Sequence, residues 1–485
     1  MSSFHSLGLS TELLAAVDKL GFTEPTQIQQ EAIPQLIGAP TDFIGLAQTG
    51  TGKTAAFALP LIQNTDTDLH EIQSLILAPT RELGLQIAEQ IEAFSQFSPK
   101  IKSLCVYGGA AITNQMKDLR KKPQILIATP GRLLDLIRRR SLNLNSIKNV
   151  VLDEADEMLN MGFKEDLNSI LSTTPKTKST WLFSATMPSD IQKLISDYLH
   201  NPIKVQSSKL NSSNSNIDHR YCVLNNDSKQ DALCRFIKND PEMLAVVFCR
   251  TKKDTQNLAD ALIAKNIKAD AIHGDLSQTQ RSFVLNKFKN NGIQVLVATD
   301  VAARGIDVDS LTHVFHYALP DDFSYYTHRS GRTARAGKKG MSIAFFTKRQ
   351  QQMLKDLEYK SQVKFQPIEV PDAHQIVEAH LQNWSRHILT RPIKNKVPAK
   401  LLLDMETLFS GLSKEELIAK LVKDQIEQFD VDNSKPLNQN FDKGGSGRPF
   451  NKNNSKSSKG RKPYKSFNSN QNNNRKPKRR FRNAS

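Results

Sequence analysis

The chain lacks the features that define several classes of protein. Its four cysteines include no CxxC pair and no regular spacing, which argues against a zinc site or a disulfide framework and indicates a reducing compartment. No apolar run approaches the roughly 18 residues of a membrane span. No basic patch precedes an apolar segment at the N-terminus, as it would in a secretory signal. We therefore expect a cytoplasmic protein with no membrane partner.

Acidic residues are nearly absent from the end of the chain. Residues 433–485 hold 15 Lys or Arg residues and one acid, Asp442, so they carry +14 of the formal net charge of +17. The remainder of the 485 residues is close to neutral. A basic balance of this kind points to nucleic acid or another anionic partner. The length itself favours about two to four domains.

A glycine-rich loop follows the apolar segment of residues 43–46 and has the sequence AQTGTGKT. Glycine-rich turns leave backbone N–H groups free to point at phosphate oxygens. Lys53 would reach the outer phosphates of a nucleoside triphosphate, and Thr54 would bind magnesium. The loop residues are Ala47, Gln48, Thr49, Gly50, Thr51, Gly52, Lys53 and Thr54.

Two carboxylates stand at the end of another apolar segment. Residues 150–152 read as a buried strand and are followed by Asp153 and Glu154. Asp153 would complete the magnesium site, and Glu154 is the candidate base that positions the attacking water. Together with the loop, this acidic strand end predicts a nucleoside triphosphatase.

Three further apolar segments, residues 74–78, 104–107 and 125–128, end in small, hydroxyl or basic residues. Ligands bind beyond the carboxyl ends of strands in an open parallel sheet, and such side chains suit a phosphodiester backbone. Ordinary helix caps are the alternative interpretation of each turn. The residues of these turns are Pro79, Thr80, Arg81, Gly109, Thr129, Pro130, Gly131 and Arg132.

The second half repeats the alternation of strands and helices without a second phosphate loop. Polar residues 207–216 predict a linker before it. Arg329, Arg332 and Arg335 recur at intervals of three beside His328, a spacing that predicts neighbouring positions on one side of a helix. This side is either a solvated basic face or a surface that meets an anion. An arginine that reaches a transferring phosphate across an interface can contribute about 10³–10⁵ in rate.

Taken together, these residues resemble the DEAD-box RNA helicases of bacterial type, from about residue 4 to about residue 357. The resemblance implies an α/β fold with two tandem RecA-like domains of parallel sheets, a helical C-terminal extension and a disordered basic tail. The implied segments are a first domain at 1–206, a linker at 207–216, a second domain at 217–371, the extension at 372–432 and the tail at 433–485.

The resemblance also implies roles for individual residues, with ATP and Mg²⁺ as cofactors. Gln29 would read the adenine edge and Phe22 would stack on the base; by its residue type alone, Gln29 could equally lie in a turn before a helix. Asp307 would contact the ribose. Arg332 and Arg335 would meet the γ-phosphate, and His328 would join the water network. Further RNA contacts would come from Thr251, Gln278, Arg281 and Thr299.

The implied function is an ATP-dependent RNA helicase. It would hydrolyse ATP in response to RNA and locally unwind short duplexes or remodel RNA–protein complexes. An ATP-gated RNA clamp or scaffold and a DNA-directed helicase are the alternatives. Ribosomal or RNA-decay proteins are candidate partners, and the sequence does not identify the physiological RNA.

Two C-terminal segments lie beyond the resemblance. In the extension, Ser413 and Glu416 have the spacing of a capping box, and apolar residues follow at helical intervals. This face predicts either self-association or packing on the second domain. The basic tail is a candidate RNA tether through phosphate attraction and stacking of its aromatic residues, with a solubilising tail as the alternative.

Overall fold

The computed structural model describes residues 3–47, 50–206, 216–303, 311–320, 324–334, 338–390, 398–427 and 437–438. These residues belong to one compact unit, Met1–Phe441. None of the helices in the described ranges is long and apolar enough to cross a bilayer.

The described chain forms two seven-stranded sheets. The first contains β1 (Phe43–Leu46), β2 (Ser74–Leu77), β3 (Ser103–Val106), β4 (Ile125–Ala128), β5 (Asn149–Leu152), β6 (Ser179–Ser184) and β7 (Ile203–Gln206). The second contains β8 (Ile217–Val223), β9 (Ala245–Cys249), β10 (Ala269–Ile272), β11 (Val295–Thr299), β12 (His313–His316), β13 (Gly340–Phe346) and β14 (Gln366–Pro367).

The two sheets have the same topology. The first has the order β3-β4-β2-β5-β6-β1-β7 and the second has the order β10-β11-β9-β12-β13-β8-β14. All neighbouring strands are parallel. Counted within each sheet, the order is identical. The predicted fold class of two tandem RecA-like domains is confirmed.

Helices cover both faces of each sheet. Those of the first half are α1 (Thr11–Lys19), α2 (Gln27–Ile37), α3 (Lys53–Gln63), α4 (Arg81–Phe94), α5 (Ile112–Leu119), α6 (Pro130–Arg138), α7 (Ala155–Asn160), α8 (Lys164–Thr173) and α9 (Ser189–Tyr198). Those of the second are α10 (Lys229–Asn239), α11 (Lys252–Ala264), α12 (Gln278–Lys289), α13 (Asp300–Ala303), α14 (Ser324–Ser330) and α15 (Gln351–Ser361).

The strands are apolar throughout because both sheet faces are buried. In β5, Val151 packs with Phe57 of α3 on one face, whereas Val150 and Leu152 pack with Leu133 of α6 on the other. Alternate side chains of a strand point to opposite faces, so a strand covered on both sides needs a continuous apolar run. These two cores hold the carboxyl end of β5 at a fixed place.

One local prediction is wrong. Arg329 and Arg332 do not lie on one helix, because α14 ends at Ser330 and Arg332 lies in the turn that follows. Gly331 comes directly after the helix, and Ala334 adopts a left-handed backbone with φ of 58°, which a continuing helix does not allow. Arg335 lies outside the described residues.

The predicted helical extension is present as α16 (Ala373–Thr390), α17 (Ala399–Phe409) and α18 (Lys414–Glu427). The capping box is confirmed, since Ser413 N–H donates to Glu416 and Glu416 N–H donates back to the Ser413 hydroxyl. The described side chains of α17 and α18 are not buried. Leu437, within the predicted tail, is buried in the core of the second half. Of the predicted linker, residues 207–216, only Asn216 is described, and of the predicted tail, residues 433–485, only residues 437 and 438 are described.

Candidate active site

The phosphate loop joins β1 to α3 through two glycines that have left-handed backbones. Gly50 has φ of 80° and Gly52 has φ of 87°. A Cβ atom on Gly52 would lie 2.3 Å from Nε2 of Gln29, so a larger residue would displace that amide as well as strain the backbone. Lys53 begins α3 and is buried, and its Nζ has no hydrogen-bond partner within the described part of the chain. A buried ammonium group at a helix N-terminus suits a phosphate.

Gln29 lies against the phosphate loop. Its Oε1 accepts a hydrogen bond of 2.9 Å from the N–H of Thr26, and its Nε2 donates one of 3.1 Å to the carbonyl of Gly52. Phe22, the predicted base-stacking residue, is partly exposed, and its ring packs 6.2 Å from that of Phe4. The segment that contains Gln29, which is predicted to read adenine, and the phosphate loop therefore form one connected surface.

Asp153 stands directly beyond β5 and is buried. Burial raises the pKa of its carboxyl to about 7; Lys53 opposes this rise and the Glu154 carboxylate adds to it. Its Oδ1 also accepts a 3.0 Å hydrogen bond from the backbone N–H of Glu154. A cation bound beside this buried carboxyl would stabilise its ionised form.

Glu154 has a left-handed backbone, with φ and ψ both 50°, directly before α7. Such a conformation is unfavourable for a residue with a side chain, by roughly 1 kcal/mol, and outliers of this kind cluster at functional sites. Behind it, Oδ2 of Asp156 accepts hydrogen bonds from the N–H of Thr186 at 2.9 Å and from its hydroxyl at 2.7 Å. These hydrogen bonds join the segment after β6 to the acidic strand end of β5.

The second half of the chain meets this cluster through His328 of α14. Its Nδ1 lies 2.6 Å from Oε1 of Glu157 in α7. Burial alone would lower the pKa of His328, but the carboxylates of Glu157, Asp156 and Glu154 outweigh burial and raise it. The Nε2 atom of His328 is buried and has no hydrogen-bond partner in the described ranges.

Two arginines flank His328 in different environments. Arg329 is buried in a two-point ion pair with Asp300, at 2.5 and 2.7 Å, and lies over the ring of Phe248. Arg332 donates from Nε to the His328 carbonyl at 3.3 Å. The side chains of Glu157, His328, Arg329 and Arg332 line one small cavity. Arg329 is therefore held by partners within its own domain, whereas Arg332 lines the cavity beside the carboxylate of Glu157.

The predicted RNA residues lie at the carboxyl ends of their strands. Thr80 and Thr129 are the N-caps of α4 and α6. The guanidinium of Arg81 lies 4.3 Å from the centre of the Tyr107 ring. Arg132 donates to Gln115 at 2.7 Å and to the carbonyl of Ala110 at 3.0 Å. Pro79, Gly109, Pro130 and Gly131 complete the same turns.

In the second half, Thr251 caps α11 and Thr299 ends β11. Gln278 and Arg281 begin α12 and contact the first half of the chain. Nε2 of Gln278 lies 3.4 Å from Oε1 of Glu82, and NH2 of Arg281 lies 3.2 Å from the same oxygen. We call the contact of Glu82 with these two residues the clasp.

Some predicted residues cannot be located, and some important ones were not predicted. Gln48, Thr49, Asp307 and Arg335 lie outside the described residues. Sequence reasoning missed Glu82, Glu157 and Asp300 as partners of Arg281, His328 and Arg329. The signal for each was its place within or beside a recognised segment: Glu82 in PTREL, Glu157 after DEAD and Asp300 after Thr299.

The residues present fit a nucleoside triphosphate with Mg²⁺. Lys53 offers an unpaired buried cation, the glycines admit phosphate oxygens, and Asp153 offers a buried carboxyl at the loop. Mg²⁺ in such sites takes one or two protein ligands and the substrate phosphates. Thr54 and Asp153 are the protein groups that would supply these ligands.

Comparisons with known proteins agree with this geometry. Residues 26–194 match the family described as DEAD/DEAH box helicase, and residues 228–337 match the helicase conserved C-terminal domain. The DEAD-box ATP-dependent RNA helicase CshA of Bacillus cereus (strain ATCC 10987 / NRS 248) is 44% identical over 380 residues, which cover 78% of this chain and 72% of that protein. Its counterpart in Bacillus subtilis (strain 168) is 42% identical over 81% of this chain and 80% of that protein.

Solved structures of similar proteins contain RNA and a nucleotide analogue. Dbp5 of S. cerevisiae, bound to RNA and ADP BeF3, superposes with a TM-score of 0.72 at 30% identity, over 78% of this chain and 100% of that one. The DEAD-box helicase Mss116, bound to ssRNA and UDP-BeF, gives a TM-score of 0.70 at 30% identity, over 78% of this chain and 83% of that one.

Proposed function

The chain belongs to the DEAD-box family of ATP-dependent RNA helicases, and we propose that it hydrolyses ATP in response to RNA to separate short duplexes locally. The observation that carries this proposal is the contact of 2.6 Å between His328 and Glu157. It brings the arginine-bearing turn of the second RecA-like domain to the acidic strand end of the first. Both halves of a phosphoryl-transfer site then lie together.

In the first domain, the nucleotide would lie between the phosphate loop and the acidic strand end. Lys53 and the loop N–H groups would hold its phosphates, and Thr54 with Asp153 would bind Mg²⁺, which supplies charge neutralisation when bound. The amide of Gln29 would turn from the loop carbonyl toward the adenine edge, with Phe22 against the base. Asp307 would contact the ribose.

Glu154 would position the attacking water, with His328 beside it. The backbone that carries this carboxylate is left-handed at Glu154, and its N–H donates to Asp153, directly beyond β5. Arg332 and Arg335 would stabilise the negative charge that develops on the transferring phosphoryl group. Because these arginines belong to the second domain, hydrolysis would be fast only when the two domains are closed.

RNA would bind along the carboxyl ends of the strands in both domains. The threonine caps and Arg132 suit the phosphodiester backbone, as do Thr251 and Thr299. The RNA complex of the similar yeast Dbp5 and the ssRNA complex of Mss116 support this assignment. A track that holds one strand in a bent form would exclude a duplex, so closure of the two domains would break base pairs locally. Loss of the γ-phosphate contacts after hydrolysis would reopen the two domains.

The experiment that tests this function compares ATP hydrolysis without nucleic acid, with single-stranded RNA and with matched DNA. We expect strong stimulation by RNA alone. Glu154→Gln should lower turnover by about 10²–10⁴, the usual contribution of a general base, while ATP-dependent RNA binding persists. Unchanged turnover would remove the assigned role of Glu154.

The control outcomes separate the alternatives. Equal stimulation by DNA would favour a DNA-directed helicase. RNA binding that depends on ATP without any hydrolysis by the wild-type chain would favour the clamp or scaffold. The presence of Lys53, Glu154 and Arg332 together weighs against a clamp that does not hydrolyse ATP, and the comparison of RNA with DNA decides between the two helicase functions.

The C-terminal segments would supply further contacts. Residues 433–485 would hold RNA through their charge, and the exposed apolar side chains of α17 and α18, such as Leu402, Leu408 and Leu421, would support self-association or a ribosomal or RNA-decay partner. Truncation at 432 should flatten the salt dependence of RNA binding, and truncation at 371 should abolish any dimer seen by light scattering. The four free cysteines suit a cytoplasmic location.

A further inference from the structure

A cluster of five buried polar side chains lies beneath α14 in the second RecA-like domain, and no role has been assigned to it. Tyr326 and Ser330 come from α14 itself, His219 comes from β8, His316 from β12 and Ser342 from β13. All five are at most 6% exposed. We call them the hydroxyl–imidazole cluster. A core position normally holds apolar side chains, so five polar ones together require an explanation.

The cluster is connected by short hydrogen bonds. The Tyr326 hydroxyl lies 2.6 Å from Nδ1 of His219 and 3.1 Å from the Ser342 hydroxyl. Nε2 of His316 lies 3.1 Å from the Ser342 hydroxyl and 3.3 Å from that of Ser330. The two serine hydroxyls are 2.9 Å apart. Each strand of the cluster is thereby tied to the helix above it.

Ring stacking adds a second restraint. The ring of Tyr326 lies over that of His316, with centroids 4.4 Å apart and planes inclined by 23°. Hydrogen bonds and stacking are directional, whereas apolar packing tolerates small rotations of a helix. The cluster therefore fixes both the rotation of α14 about its axis and its position along the sheet.

Stability alone does not account for the cluster. Nε2 of His219 and Nδ1 of His316 are buried and lack a hydrogen-bond partner among the residues described. An unsatisfied buried group is costly, and an apolar core of similar volume is often at least as stable. The cost is consistent with a requirement for one exact placement of the helix.

The same helix carries the groups that meet the first domain. His328 lies between Tyr326 and Ser330 in sequence and contacts Glu157 at 2.6 Å. Arg332 follows the helix and is tied back to the His328 carbonyl. A small rotation of α14 would therefore move His328 and Arg332 together. Misplacement by about 1 Å can cost 10²-fold in rate.

We propose that the hydroxyl–imidazole cluster positions α14 so that His328 and Arg332 reach the nucleotide site in their productive places. Tyr326, His316 and Ser330 are positioning residues, since none of them lines the cavity between the domains. The inference rests on the proposed function, because the placement matters only if these groups serve hydrolysis.

Tyr326→Phe tests the proposal in the full-length chain, since it removes the hydroxyl and keeps the stacked ring. We expect kcat of RNA-stimulated ATP hydrolysis to fall about tenfold while KM for ATP changes by less than about twofold, because only closed-state placement is lost. Tyr198→Phe is the matched control. It removes a hydroxyl bonded to the Asn168 carbonyl at 3.3 Å in the first domain and should leave kcat unchanged.

A second series uses His316. His316→Leu should lower kcat as Tyr326→Phe does, and His316→Gln should restore much of it, because a glutamine amide can place a polar atom where Nε2 lies. His313→Leu, which removes a histidine from the other end of β12, is the control. Failure of glutamine to restore kcat, or an equal loss from His313→Leu, would contradict positioning through this cluster.

A double variant identifies the route of the effect. If the cluster acts through α14, Tyr326→Phe should lower kcat by a smaller factor in a His328→Ala background than in the wild-type chain, because only the placement of Arg332 remains to be lost. Multiplicative losses would overturn the proposal. Amide hydrogen exchange provides a readout that does not need hydrolysis: exchange in Ser324–Ser330 should accelerate in Tyr326→Phe and not in Tyr198→Phe. Equal exchange would overturn the proposal even if the wild-type chain were inactive, a result that would separately end the proposed function.

Discussion

The two RecA-like domains share one strand order but use it for different chemistry. In the first, the connection after β1 forms the phosphate loop and the connection after β5 holds Asp153 and Glu154. In the second, the connection after β8 has no such loop, and the segment between β12 and β13 carries His328 and Arg332. The first domain thus carries the phosphate loop and the carboxylates, and the second carries a histidine and an arginine.

The contact between the domains joins equivalent places in the two folds. Glu157 lies between β5 and β6, and His328 lies between β12 and β13, which are the fifth and sixth strands of their sheets. A duplicated sheet therefore brings corresponding edges face to face. Under the proposed function, neither edge alone would both hold a triphosphate and stabilise its transition state, so activity would depend on closure.

The largest effect should come from variants that separate triphosphate binding by the first domain from transition-state stabilisation by the second. Arg332→Ala should lower kcat of ATP hydrolysis by about 10³ while ATP binding is retained, since an arginine supplied to a transferring phosphate contributes about 10³–10⁵. Lys53→Ala should instead weaken ATP binding itself. Nucleotide titration by fluorescence, together with steady-state rates, distinguishes them. Loss of ATP affinity in Arg332→Ala would contradict the assignment of ATP binding to the first domain and of transition-state stabilisation to the second.

Sequence alone could predict most of the architecture. Strands such as β1 and β4 have the bounds that their apolar segments predict, because a strand buried on both faces is a continuous apolar run. Strand β8 was missed because Asp218 and Arg220 interrupt that pattern; in the structure they pair with each other at 2.8 Å. A pattern of apolar residues cannot reveal that two charged side chains of one strand form an ion pair with each other.

The site, like the fold, has features that the sequence could predict and features that it could not. The phosphate loop is one contiguous stretch of sequence and the acidic strand end is another, so the chemistry of each could be predicted. The pairing of His328 with Glu157 spans 171 residues, and no local pattern encodes which carboxylate a distant histidine meets. The single-helix prediction for the arginines failed because a spacing of three is compatible with a helix followed by a turn.

A smaller effect should appear in the pH dependence of stability, with opposite sign in the two domains. The pKa of Asp153 is raised to about 7, so its protonated form stabilises the fold below its ordinary pKa and that stability is lost as pH rises through about 7. The pKa of His219 is lowered to about 4 by burial, so its neutral form contributes stability above its ordinary pKa that is lost as pH falls through about 4.

Urea unfolding of the nucleotide-free chain at several pH values measures both signs. Asp153→Asn should be more stable than wild type at pH about 8, by on the order of 1–4 kcal/mol, with the advantage disappearing toward pH about 4. His219→Asn should show the reverse trend, losing less stability than wild type on acidification. Parallel pH profiles for wild type and Asp153→Asn would contradict the buried, proton-binding carboxyl.

The smallest effect should come from the clasp. Glu82 and Arg281 are each 14% exposed and 3.2 Å apart, so the pair is partly screened and should contribute about 1 kcal/mol to closure. Glu82→Gln and Arg281→Met should each weaken ATP-dependent RNA binding about fivefold, and the double variant should be no weaker than either. Loss of Arg281 alone, without coupling to Glu82, would instead indicate a direct RNA contact. The double-mutant cycle therefore decides whether α12 serves the RNA track or the joining of the two domains.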